Sequence, residues 1–250
     1  MSESEARPPL PAADVLPVQP QATLAFRVIK AVVGPLFHLA FAVKVAGREH
    51  IPAAGPYIVI GNHLNWIDAW ILLLVFPTEP RIHFLANPAN LIQHPFHWRV
   101  VKAVGGYIPV DLEHHAGPQL YEHVDRCLQR GGVVAIFPEA AYGPREGQLQ
   151  PFKSGFAHFA VDNRAPVLPV ALSGTKDLWL RKEIQVRIGE AIPVAGQTVA
   201  GLYELARRRM EELLPEYREP EGRKPLRKFL TRLLYLAPRW RSARPGKGAS

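Results

Sequence analysis

Apolar and polar positions divide the chain into four stretches. Residues 1–21, MSESEARPPLPAADVLPVQPQ, hold five prolines and three acids, and no apolar periodicity. Such a stretch cannot build a helix or a core, so it reads as a disordered leader without the basic, apolar and small-residue order of a secretory signal. Residues 22–43, ATLAFRVIKAVVGPLFHLAFAV, are almost wholly apolar and about long enough to span a bilayer, yet Arg27, Lys30 and His38 interrupt them. A charge at the bilayer centre costs roughly 2.5–3.5 kcal/mol, so the segment is expected as a helix lying in a membrane interface, with a kink at Gly34-Pro35. A true span and a buried core helix remain the alternatives.

From Lys44 to Tyr217 the pattern alternates. Apolar runs rich in β-branched residues at Tyr57–Ile60, Arg81–Ala86, Tyr107–Pro109, Val133–Phe137, Val167–Leu172 and Ile184–Ile188 predict strands. Helical spacing at Asp68–Phe76, Gln119–Gln129, Gly155–Asp162 and Val199–Leu214 predicts helices, and Gly131-Gly132 stops one of them before a strand. Strands alternating with helices imply a single α/β domain over 44–217, with a mostly parallel or mixed sheet flanked by helices. Beyond it, residues 218–250 carry Leu226, Phe229, Leu230, Leu233 and Leu234 at helical spacing with Arg227, Lys228 and Arg232 on the flank. That is the pattern of a basic amphipathic helix suited to an anionic membrane surface; a terminal helix packed on the domain is the alternative.

Charge sharpens this picture. The 250 residues carry a net charge of +8, but residues 222–250 contain nine basic residues and no acid. Everything before them is close to neutral, which argues against nucleic acid as the ligand of the fold. Cys127 is the only cysteine, so an intrachain disulfide and a four-cysteine zinc site are excluded.

The candidate chemistry begins by exclusion. No Gly-x-Ser-x-Gly elbow, P-loop or dinucleotide glycine fingerprint is present. His94 and His97, or His114 and His115, have no partner set with a zinc pattern, so no metal is expected. What stands out is YIVIGNHLNWIDAW, Tyr57–Trp70, a strand running into Asn62-His63 and then into a helix near Asp68. At such a turn Asp68 can hold one ring nitrogen of His63 and leave the other to take a proton. This is the base and orienter of a catalytic triad without its serine, so the nucleophile would be the substrate's own hydroxyl. The spacing alone equally allows Asp68 to cap the helix beside a packed loop histidine.

Further segments in order carry a resemblance. Asn62-His63 followed by Asp68, Gly106-Tyr107-Ile108-Pro109-Val110-Asp111-Leu112, Phe137-Pro138-Glu139, Leu149-Gln150-Pro151-Phe152-Lys153-Ser154-Gly155 and Pro166-Val167-Leu168-Pro169-Val170 together resemble the blocks of the glycerolipid acyltransferase family, which includes the lysophosphatidic acid acyltransferases. The resemblance covers about Val45 to Leu172.

It implies an O-acyltransferase moving a fatty acyl group from acyl-CoA or acyl-acyl carrier protein to a lipid hydroxyl, with 1-acylglycerol-3-phosphate or a related lysolipid as the first acceptor. His63 would be the base and Asp68 its holder, with backbone N–H groups near the third block on the oxyanion. Asn62, Gly106, Glu139, Tyr142, Arg145 and Lys153 fall among the substrate-binding positions. No bound cofactor is implied; the partners are membrane lipids, a lysolipid and the acyl donor, at the cytoplasmic face of a membrane. The sequence departs where the family grips phosphate with arginine, holding Leu112 and Tyr142, and where Ala140 replaces a glycine. Arg145 or Lys153 would have to compensate, or the acceptor is a lipid or glycolipid alcohol without phosphate there. A non-catalytic lipid-binding relative is the remaining alternative.

Overall fold

The continuous apolar runs become the centre of a seven-stranded sheet. The computed structural model describes residues 21–86, 95–110 and 118–234. The expectations for the leader up to residue 20, the tail from 235, the Asp111-Leu112 pair, His94, His114 and His115 lie outside them.

The strands are β1 (Ala42–Ala46), β2 (Tyr57–Gly61), β3 (Ile82–Ala86), β4 (Tyr107–Pro109), β5 (Val133–Ile136), β6 (Val167–Ser173) and β7 (Glu183–Ile188). The helices are α1 (Leu24–Ala40), α2 (Ile67–Val75), α3 (Pro95–Val104), α4 (Pro118–Gln129), α5 (Gly155–Asn163), α6 (Val199–Leu213) and α7 (Arg227–Leu234). The sheet order is β1-β7-β6-β2-β5-β3-β4, and every pair is parallel except β6 with β7. Strands β2, β5 and β6 are buried along their whole length, which explains why they read as unbroken apolar runs. Strand β7 alternates buried and partly exposed residues, and β1 at the edge is half open to water.

Two elements escaped the sequence pattern. The apolar stretch 22–43 is not one helix: α1 ends at Ala40, runs through Pro35 without a break, and Ala42–Ala46 turns into edge strand β1 beside β7. Its β-branched Val43 and Val45 alternate with exposed residues, a strand period too short to register next to a longer apolar run. Helix α3 has a weak apolar signal because His97, Arg99 and Lys102 break it.

Pro169 lies inside β6, where a proline removes a ladder donor. Its carbonyl accepts the Gly189 N–H, so the missing N–H faces the side where β7 has already ended at Ile188. The Gly131-Gly132 stop works by contact as well as by backbone freedom. Gly131 has φ +73°, and a Cβ on Gly132 would sit 2.7 Å from Cys127 Sγ.

The core has two halves, one on each face of the sheet. Residues of α1, α2 and α3 pack on one face, with α7 added at its edge, while α4, α5 and α6 pack on the other. Strands β2 and β5 are neighbours, yet β2 leads to α2 on the first face and β5 leads to α5 on the second. The chain therefore parts at their carboxyl ends and leaves a crevice there, the usual place for a ligand in an open α/β sheet.

Candidate active site

The two loops that leave β2 and β5 meet at this crevice. The first carries Asn62, His63 and Asn65 and enters α2, whose first turn holds Asp68. The second runs from Phe137 to Gly143, and the Gly143 N–H donates to the His63 carbonyl at 2.6 Å.

Asp68 turns back onto its own loop rather than capping α2. Its Oδ2 lies 2.9 Å from His63 Nδ1, and accepts the N–H groups of Leu64 at 2.6 Å and Asn65 at 2.8 Å. The Asp68 side chain is wholly buried and that of His63 is 17% exposed. A carboxylate oxygen accepts, so Nδ1 carries the hydrogen and Nε2 keeps its lone pair. The imidazole is fixed by its faces too. Phe137 stacks on it at 4.0 Å and 7°, and Tyr142 meets it edge-on at 4.5 Å and 75°. Gly61 makes room for that stack, since a Cβ there would come within 3.3 Å of the Phe137 ring.

His63 lines a cavity of about 540 Å³. Its walls are mainly apolar: Trp66, Trp70, Phe84, Val104, Phe156 and Phe159 among them, drawn from both faces of the sheet. Gly106, Tyr142 and Lys153 also line it. Gly106 has φ +70° and lies against the buried Arg81, where a Cβ would be 2.6 Å from Nη2. Arg81 Nη2 in turn donates to the carbonyls of Val104 and Gly105, which fixes this wall of the cavity.

The other expected site residues stand apart from the cavity. Asn62 is buried and bridges two strands: its Nδ2 donates to the Leu172 carbonyl at 2.9 Å and its Oδ1 accepts the Leu172 N–H at 2.7 Å. Arg145 is exposed outside the cavity lining. Glu139 is buried behind the His63 loop, and neither of its carboxyl oxygens completes a hydrogen bond. Burial raises its pKa to about 7; the nearby N–H groups of Gln150 and His63 oppose the shift, and the Asp68 charge adds to it. Among the described residues no three potential metal ligands gather.

In the sequence Phe137 is only the end of a strand and the start of the Phe137-Pro138-Glu139 block. In the structure its ring is the surface on which His63 rests. The signal was Gly61 at the end of a buried strand, since Ile60 pairs with Ile136 and sets Phe137 beside it. Asn65 was missed as well; it is buried and its Nδ2 donates to the Thr175 carbonyl at 3.1 Å.

Known proteins resemble this chain in sequence and in fold. A family model described as Acyltransferase matches residues 42–173, just over half of the chain. The human 1-acyl-sn-glycerol-3-phosphate acyltransferase alpha is 28% identical over 191 residues, covering 71% of this chain and 64% of its own. The 1-acyl-sn-glycerol-3-phosphate acyltransferase of Cocos nucifera is 42% identical over 147 residues, 58% of this chain and 46% of that one. The chain thus matches less than two thirds of the length of these relatives. The crystal structure of the 1-acyl-sn-glycerophosphate acyltransferase PlsC from Thermotoga maritima superposes with a TM-score of 0.61 at 23% identity, over 78% of this chain and 81% of that one, and shares the fold. The chain belongs to the glycerolipid acyltransferase family.

Proposed function

We propose that the protein transfers a fatty acyl group from an acyl thioester, on CoA or acyl carrier protein, to the free hydroxyl of a lysolipid at a membrane surface. The observation that carries this reading is His63, held by a buried carboxylate at the wall of an apolar cavity. The lysolipid hydroxyl gives its proton to Nε2 as its oxygen attacks the thioester carbonyl. Asp68 stabilises the imidazolium that forms. The tetrahedral oxyanion collapses, the C–S bond breaks, and the proton passes from Nε2 to the departing thiolate. Ester and free thiol are the products.

The apolar walls take the acyl chain, and Lys153 offers a cation to the donor or acceptor headgroup. In the turn after Phe137, the Ala140 N–H is bonded to the Phe137 carbonyl and the Gly143 N–H to that of His63. Ala141, which lines the cavity, is therefore the candidate oxyanion donor of that turn. The first acceptor is 1-acylglycerol-3-phosphate, a reading supported by the names of the curated relatives. A neutral lipid or glycolipid alcohol is a second reading, favoured by the aromatic edge of Tyr142 beside His63 where the family resemblance places an arginine. Helix α1 is the interface anchor, at the cytoplasmic face. Among the described residues no helix is long and apolar enough to cross a membrane.

The test is a panel of acceptors offered with oleoyl-CoA, followed by thiol release and by mass spectrometry of the ester. The reading expects ester with 1-acylglycerol-3-phosphate or another lysolipid. Thioester hydrolysis alone, with no acceptor esterified, would overturn it.

A further inference from the structure

We infer that α1 and α7, from the two ends of the chain, form one continuous face that docks on an anionic lipid bilayer. The inference rests on the membrane-surface part of the function proposed above, and adds to it the second helix, the shared plane and the lipid charge.

Three observations carry it. The first is the outward side of α1. Leu24, Val28, Val32, Val33, Leu36 and Leu39 are exposed there, and only Arg27 and His38 break the run of apolar residues. Leu24 is 77% exposed and Leu39 is 69% exposed. A solvated helix shows the opposite pattern, and a contiguous apolar surface of this kind marks an interaction site.

The second is that α7 is fastened beside it. Inward, Leu230 and Leu234 pack against the same half of the core as Phe26, Ile29 and Phe37 of α1. The Thr231 hydroxyl donates to the Leu178 carbonyl and accepts the Leu178 N–H. Outward, Leu226, Phe229 and Leu233 are exposed. Two hydrogen bonds close the gap between the helices: the Arg181 N–H donates to the Ala40 carbonyl at the end of α1, and the Leu180 N–H donates to the Pro225 carbonyl just before α7. Leu180 is itself partly exposed between them. Leu180 and the exposed Arg181, whose guanidinium reaches the Leu39 carbonyl, thus link Leu39 to Leu226 across the surface.

The third observation is charge, which selects the occupant. Lys228 and Arg232 are exposed on α7 next to Phe229 and Leu233, and no acid occurs from residue 222 to the end of the chain. Apolar side chains flanked by cations suit acyl chains under anionic headgroups. The face also lies next to the site. The Thr23 hydroxyl at the start of α1 donates to the carbonyls of Ala103 and Val104, and Val104 lines the cavity. A bilayer under α1 would thus meet the protein beside the cavity that takes the acyl chain.

The test is flotation of the full chain with vesicles of phosphatidylcholine alone or with a quarter phosphatidylglycerol. Wild type should float mainly with the anionic vesicles. Phe229→Ser with Leu233→Ser, and separately Val32→Ser with Leu36→Ser, should each lower the partition coefficient roughly tenfold with thermal melting unchanged. Lys228→Glu with Arg232→Glu should lower it on anionic vesicles only; this exchange of exposed charges keeps the inference testable if a serine pair misfolds. Full flotation of the α7 serine pair, with loss for the α1 pair, would overturn the two-helix face and leave a membrane-bound enzyme standing. Equal flotation of wild type on both vesicles would overturn the lipid charge. No flotation would overturn both this inference and the membrane part of the proposed function. A lipid-free dimer that the α7 pair dissociates, without any change in flotation, would assign the face to a second copy of the chain.

Discussion

Asp68 holds His63 with the same oxygen that holds the backbone of Leu64 and Asn65. One buried Oδ2 accepts three donors, so the carboxylate fixes the imidazole and the shape of the loop that carries it. Asp68→Asn keeps an acceptor oxygen but removes the charge that steadies an imidazolium. We expect turnover to fall by roughly 10²–10³ with the fold retained. Asp68→Ala orphans two buried N–H groups and should in addition cost on the order of 2–4 kcal/mol in stability. Urea unfolding and thiol release, measured side by side, separate the two effects.

Asn62 predicts the reverse balance. Both ends of its amide are engaged by the Leu172 backbone, away from the cavity lining. Asn62→Ala should destabilise the protein by about 2–3 kcal/mol, because a donor and an acceptor of β6 lose their buried partner. At a temperature where the variant is folded, its KM for the acceptor should match that of wild type. A raised KM with unchanged stability would return Asn62 to the substrate-binding set.

Glu139 makes stability depend on pH. Burial raises its carboxyl from the ordinary 4.5 to about 7. An unfolded chain releases this proton near 4.5, while the folded protein keeps it until about 7. The contribution is complete below 4.5 and is lost as pH rises through 7. The size of the shift puts the loss on the order of 3 kcal/mol. Against Glu139→Gln, wild type should fall behind progressively between pH 4.5 and 7 and stay behind by a constant margin above that. Parallel stability curves over pH 4–9 would contradict it.

Ala140 stores strain beside the site. Its φ of +55° is left-handed, a conformation that costs a non-glycine residue roughly 1 kcal/mol. Ala140→Gly should raise stability by a few tenths to about 1 kcal/mol, the gain being limited by the greater freedom of glycine in the unfolded chain. The unfolding midpoint in urea checks it.

The sheet was legible because its central strands are buried on both sides and carry little but apolar residues, as in Val133–Ile136. His63 and Asp68 were legible because strand, turn and helix follow each other within a dozen residues, so local sequence fixes their approach. Less legible was whatever depends on distant segments meeting. Asn62 faces Leu172, 110 residues away, and its spacing gives no sign of that bond. Glu139 sits in a block that resembles a substrate-binding one, yet the fold turns its carboxyl behind the His63 loop. Strand β1 was hidden because the apolar helix before it continues into it without a polar gap.

The most direct test compares initial rates of ester formation from oleoyl-CoA and a lysolipid in wild type and His63→Ala, both shown folded by circular dichroism. If His63 takes the hydroxyl proton, the variant should lose roughly 10²–10⁴ in turnover, the usual range for a general base. A variant within tenfold of wild type would mean that the proton leaves by another route.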